Sequence, residues 1–148
     1  MRSYQIYWIT EEFAHYFYGR EQNFFQLFFE SSCGESEQQQ IIEKQIQYIT
    51  NKFLISEVRD LLWEALSARS WFNIHNDHYF QIDLPNNKGR AELFVDEQCL
   101  YLQASGSYES EAIFFHALKK MNAYLFAVDF KRKNYGWLEP IKKEILFR

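Results

Sequence analysis

The spacing of apolar residues changes once along this chain, and that change restricts the folds open to it. From Glu35 onward, "ESEQQQIIEKQIQYI" is rich in helix formers and brings back Ile42, Ile46 and Ile49 at helical intervals. "SEVRDLLWEALSAR" behaves the same way, with Ser56 as the expected cap and Val58, Leu61, Leu62 and Ala65 on one side. Past His78 the interval becomes two. "HYFQIDLP" turns Phe80, Ile82 and Leu84 inward, "PNNKG" is turn chemistry, "RAELFVD" alternates through Ala91, Leu93 and Val95, and "CLYLQAS" sets Leu100, Leu102 and Ala104 on one face. Helices followed by an antiparallel meander make an α+β arrangement.

The flanks fill in the order of elements. "SYQIYWI" (3–9) reads as a strand with two fairly apolar faces. Thr10 then looks like an N-cap, and Glu11 and Glu12 suit the positive end of a helix that runs to about 18 and stops at Gly19. A second helix is expected from Arg20 to Glu30, with "SSCGES" as a loop. After the meander, "GSYESEAIFFHALKKM" is a helix capped near Ser107, acidic at its start and basic at its end. "YLFAVDF" is a last strand, "KRKN" a charged turn, and "YGWLEP" a short extension stopped by Pro140. The expected fold is therefore one α+β domain over 1–148: an N-terminal strand, a helical block, then a mostly antiparallel sheet with a helix packed across it.

Composition excludes several classes of function. No run of about 18 apolar residues could span a bilayer, and "MRSYQIYWITEE" lacks the apolar core of a signal peptide, so a cytoplasmic protein with no membrane partner is expected. Cys33 and Cys99 are too few for a disulfide framework and have no zinc-ligand spacing; they read as reduced thiols. The formal charge of −4 divides unevenly, +5 over residues 119–148 and −9 over the rest. A nucleic-acid-binding regulator using Lys119, Lys120 and the Lys131, Arg132, Lys133 turn is thus an alternative, weighed against a merely solvated basic surface.

Catalytic signals are weak. His75, Asp77 and His78 in "HNDH" lie close enough to share a metal, but a catalytic zinc needs three protein ligands and an open position, and no partner motif accompanies them; a polar turn entering a strand is the plainer reading. His15 and His116 sit on aromatic helical stretches and suit half-exposed packing. Ser105 or Ser107 would be a nucleophile without a base placed by any motif, and "ASGSYES" and "NNKGR" are neither phosphate loops nor dinucleotide fingerprints. The expectation is no enzyme, no metal and no cofactor.

Aromatic content stands out, at 20% of the chain, well above ordinary usage. "EEFAHYFYGREQNFFQLFFE" (11–30) concentrates it. At about 100° per residue, Phe13, Phe17, Ala14, Tyr18 and Tyr16 cover an arc of about 200°, twice the stripe that a helix covering a core requires. Phe24, Phe25, Leu27, Phe28 and Phe29 repeat the demand one helix later. The second set has no polar handle and is assigned mainly to the core. The first carries tyrosine tips that tolerate water, so Phe13, Tyr16 and Phe17 form a candidate recognition face; the competing reading packs every ring inside.

Five separated strings, "EEFAHYFYGRE", "EKQIQYIT", "LPNNKGRA", "ASGSYESEAIFFHALKK" and "AVDFKRKNYGWLEP", resemble in order and spacing the SirA family, the sporulation inhibitors of replication of endospore-forming bacteria. The resemblance implies a non-enzymatic inhibitor that binds the N-terminal domain of the initiator DnaA as a monomer in a 1:1 complex, with no direct nucleic-acid contact. It implies a partner surface on the first helix, helped by the helix of "EKQIQYIT", with Phe13 and Phe17 as aromatic anchors and Gln45 as a polar contact. Phe17 stands where the family pattern has tyrosine, keeping the ring and losing a hydroxyl. Tyr16, Tyr18, Arg20 and Tyr48 complete the expected partner-binding set, as contacts or as supports of the first helix.

Overall fold

The computed structural model describes residues 1–34 and 37–139. It places the first strand, β1 (Arg2–Ile9), in the interior of an antiparallel sheet. Three helices follow, α1 (Glu11–Tyr16), α2 (Gln22–Cys33) and α3 (Gln39–Ile49). A two-residue strand β2 (Thr50–Asn51) and helix α4 (Ile55–Leu66) lead to the meander β3 (Phe72–Asn76), β4 (Tyr79–Asp83), β5 (Gly89–Val95) and β6 (Leu100–Gly106). Helix α5 (Glu109–Leu118), β7 (Tyr124–Asp129) and β8 (Asn134–Trp137) complete the order. The sheet runs β3-β4-β5-β6-β1-β7-β8, with β2 paired to the end of β1. The expected α+β class and its order are thus observed.

Burial of both faces of β1 explains its central position. Ile6, with Tyr4 and Trp8 beside it, joins the cluster under α4 and α5, where Phe80, Ile82, Leu93, Leu100, Leu102, Val58, Leu62, Phe114 and Leu118 interlock. Tyr7 and Ile9 point the other way, into a cluster with Ala14, Phe24, Phe28, Ile42, Ile46, Ile49, Phe126 and Val128. A strand buried on both sides needs apolar residues at successive positions, as "QIYWI" provides. Over β3–β6 the second face is only partly covered: Tyr101 and Gln103 are exposed, as alternation demands, while Gln81 is buried.

A polar clamp ties the start of β1 to α5. The buried Arg2 guanidinium donates to the Glu111 carboxylate at 2.8 and 2.5 Å and to the Ser107 carbonyl at 3.0 Å, and lies 4.3 Å over the Tyr108 ring. The Tyr4 hydroxyl donates to the same carboxylate. Both charges are removed from water, so the pairing and the added hydrogen bonds offset a desolvation cost of several kcal/mol per ion.

Several local expectations are corrected. The first helix stops at Tyr16, with Phe17–Tyr18 as a turn into Gly19 at φ +83°. Thr10 occupies the N-cap position, but its side chain makes no cap bond; the backbone carries the start, Ala14 N–H donating to the Thr10 carbonyl at 2.9 Å. α2 begins at Gln22 and absorbs Ser31, Ser32 and Cys33, read from sequence as loop, before Gly34 ends it in the left-handed region at φ +68°. Glu35 lies outside the described residues, as does Pro140, and α3 starts only at Gln39. Ser56 is inside α4, whose cap residue is Leu54; Val58, Leu62 and Leu66 are buried there while Leu61 and Ala65 are half-buried. α5 is capped from Tyr108 rather than Ser107. β3 had no counterpart in the sequence reading.

Candidate partner-binding groove

Helices α1, α2 and α3 lie over the second apolar face, and they do not close completely on one another. α3 shows why. Ile42, Ile46 and Ile49 recur at four and three residues and are buried, so they form its inner stripe. Ile41, Gln45 and Tyr48 recur in the same way one position earlier and form a second, outward stripe that faces α1. Between the helices runs a groove of about 720 Å³ with Phe13, Phe17, Ile41, Gln45 and Tyr48 on its walls and Phe24, Leu27 and Ile49 beneath.

The rings in it are ordered by contact with one another. Phe13 stacks on Phe17 at 6.3 Å and meets Tyr48 edge-on at 5.4 Å across the groove. Phe17 in turn meets the buried Phe24 at 5.1 Å, which seats on Phe126 of β7 at 5.4 Å. The chain of rings thus runs from the groove into the sheet, and Phe13 and Phe17 are half-buried rather than free. Tyr16 and Tyr48 remain 62% and 73% exposed. With Phe13 and Phe17 they make one contiguous aromatic patch, and such patches commonly mark interaction surfaces.

The expected partner-binding residues separate by position. Phe13, Phe17, Gln45 and Tyr48 line the groove together. Tyr16 sits on the outer side of α1, edge-on to Phe17 at 4.9 Å. Arg20 braces the same region, its guanidinium donating to the Tyr16 carbonyl at 2.6 Å and lying 5.2 and 5.3 Å from the Tyr16 and Phe17 rings. Tyr18 is exposed in the turn after α1 and is not among the lining residues. On the far side of α1, His15 Nε2 lies 3.0 Å from the Tyr124 hydroxyl, a packing position.

The assignment of the second aromatic set to the core needs one adjustment. Phe24 and Phe28 are fully buried, the latter stacked 3.7 Å on Tyr7. Phe25 and Phe29 pack half-buried against each other and Phe130, but Leu27 also lines the groove. Leu27, Ile41, Asn23 and Lys44 are lining residues that the sequence reading missed. The i, i+4, i+7 relation of Ile41 to Gln45 and Tyr48 is a signal that could have found one of them.

The other candidates do not assemble into a reactive site. His75 is held in β3, stacked 4.5 Å on Tyr79 and accepting from the Gln81 amide at 2.6 Å, while the Gln81 oxygen accepts from Arg90 at 2.8 Å. Asp77 turns to Arg59 at 3.6 Å, and the His78 N–H caps onto the Asn76 side chain. Among the described residues no group of three His, Cys, Asp or Glu is placed to hold a metal. Cys33 is exposed and Cys99 buried, and burial pushes the Cys99 thiol up to about 12. Lys119 and Lys120 follow α5 at the head of β7, whereas Lys131–Lys133 follow its tail, so the basic residues bracket a strand. No helix among the described residues is long and apolar enough to cross a membrane.

Comparison with known proteins agrees over nearly the whole chain. The family model described as "Sporulation inhibitor of replication protein SirA" matches residues 2–142. The chain is also 39% identical over 144 residues to the sporulation inhibitor of replication protein SirA of Bacillus subtilis (strain 168), covering 96% of each chain.

Proposed function

The chain belongs to the SirA family of non-enzymatic sporulation inhibitors of replication, and from that membership we propose that it halts new rounds of initiation by binding the N-terminal domain of DnaA through the groove between α1 and α3. The observation that carries this reading is the convergence of Phe13, Phe17, Gln45 and Tyr48 on one open apolar groove. Phe13 comes from α1, Phe17 from the turn that ends it, and Gln45 and Tyr48 from α3, so only the tertiary fold makes all four neighbours. The aromatic walls offer contact area at low conformational cost, and Gln45 offers orientation through an amide.

The inhibitor acts by occupancy. A single cytoplasmic domain seated 1:1 on the initiator's N-terminal domain excludes whatever else that surface would assemble with, and needs no bond-making chemistry. Arg20 and Tyr16 serve as supports of the α1 end, because the guanidinium bridges the helix carbonyl and two rings. Tyr18, outside the groove lining, stands at the edge of the contact.

The test is a titration of purified DnaA N-terminal domain with wild type, Phe13→Ala and Phe17→Ala. Each variant is expected to lose over tenfold in affinity, about 2 kcal/mol or more, with the fold verified by circular dichroism. Equal affinities for all three would remove the aromatic-anchor mechanism.

A further inference from the structure

The groove is larger than the aromatic contacts require, and its remaining end has a distinct chemistry. Ile41 is 56% exposed on a helix surface that otherwise carries glutamines, charges and the groove tyrosine Tyr48, although Ile42, Ile46 and Ile49 already supply that helix's buried stripe. Folding gives no reason for a fourth isoleucine outside. It lines the groove together with Leu27 of α2, one and two turns before Gln45 and Tyr48. Beside it is Lys44, which has no ion-pair partner among the described residues. No carboxylate lines the groove, and the cation nearest its other end, Arg20, is already engaged with Tyr16 and Phe17.

We propose that this end of the groove recognises its partner at two points: an apolar side chain seated between Ile41 and Leu27, and a carboxylate drawn to Lys44. The inference rests on the reading of the groove as the initiator-binding surface and adds what that surface must present there, an apolar protrusion with an acidic neighbour. Complementarity selects this occupant. A basic or purely polar protrusion would leave Ile41 and Leu27 unpaired and meet Lys44 with like charge or none, and charge matching of this kind governs partner choice more than raw affinity. Ile41 and Lys44 are thus specificity-determining residues, outside the anchors Phe13 and Phe17.

The experiment titrates DnaA N-terminal domain with wild type, Phe13→Ala, Ile41→Ala and Lys44→Glu, at low and high salt, with melting curves as a control. Ile41→Ala places a better helix former at an exposed site, so the fold is retained. Ile41→Ala is expected to weaken binding at least about fivefold at both salts, and Lys44→Glu about tenfold at low salt, shrinking as salt screens the pair. Wild-type affinity in both variants, with Phe13→Ala still impaired, overturns this inference and leaves the partner reading standing. No binding by wild type removes both. Self-association of wild type that Ile41→Ala abolishes would assign the groove to a second copy instead, and overturn the proposal.

Discussion

The two faces of the central sheet are covered differently, and the contrast separates what holds this molecule together from what it offers to others. Under α4 and α5 the core mixes aliphatic and aromatic side chains and its centre is closed: Leu62, Leu93, Leu100, Leu102, Phe114 and Leu118 have no accessible surface, the Arg2–Glu111 pair seals one corner, and smaller clefts of about 560 and 370 Å³ open beside α5. Under α1, α2 and α3 the cover is aromatic and incomplete, with rings stacked from Phe126 outward to Phe13 and ending at solvent. Both faces hold fully buried core, but on the α1–α3 side the rings continue outward to solvent and leave the groove between the helices.

The sharpest way to break that contrast is a pair of truncations. Phe114→Ala opens a cavity in the closed face and is expected to destabilise the protein by about 3–5 kcal/mol, while Phe13→Ala, on the open face, costs clearly less; comparable denaturant midpoints would sink the distinction. Next in size is the clamp. Glu111→Ala strands the Arg2 guanidinium and the Tyr4 hydroxyl in a buried site, at a cost of about 3 kcal/mol, and a double cycle with Arg2→Met should recover much of it. Third, Phe13→Ala is expected to reduce initiator binding by about 2 kcal/mol while Phe114→Ala, under conditions where it remains folded, binds nearly as wild type.

The smallest effect concerns the thiols. Exposed Cys33 should react with a disulfide reagent at once, and Cys99, buried beside Tyr7, only on unfolding. Burial holds the Cys99 thiol protonated up to about 12 and raises the Tyr7 hydroxyl as well. The unfolded chain releases the thiol proton near its ordinary value of about 8.5, so stability is complete below that pH and declines as pH climbs toward the folded value. Cys99→Val should make this alkaline decline shallower, measured as melting temperature against pH; an unchanged slope would remove the thiol's share.

How far these features were legible in the sequence depended on how local their causes are. The alternation of Phe80, Ile82 and Leu84 with their neighbours marked β4 because one face meets a core and the other carries polar side chains, Gln81 bonded to His75 and Arg90 and Asp83 exposed. β3 escaped notice because an edge strand with Asn73, His75 and Asn76 carries only Phe72 and Ile74 as apolar cues. Ser31–Cys33 looked like loop because serine favours turns, yet Gly34 ends the helix after them. The groove is a tertiary object. A wheel drawn for α1 shows an excess of rings, but not that Tyr48 stands 5.4 Å from Phe13, nor that Leu27 lies below them. Gln45 and Tyr48 came from resemblance, and Ile41 and Lys44 from coordinates alone.

The interior place of β1 has a consequence for how the inhibitor is made. The strand is made well before both its neighbours: Arg2–Ile6 pair with residues 100–104, and Gln5–Ile9 with residues 124–128. α1 follows β1 after one residue; its His15 reaches Tyr124, and Phe17 just after it rests on Phe24, which seats on Phe126. Such distant pairings are slow to form and cannot precede synthesis of their partners. Helix α1 and the turn after it therefore have no full seat on the sheet until residues 124–128 have been made, and the groove beside them forms as a step rather than a ramp.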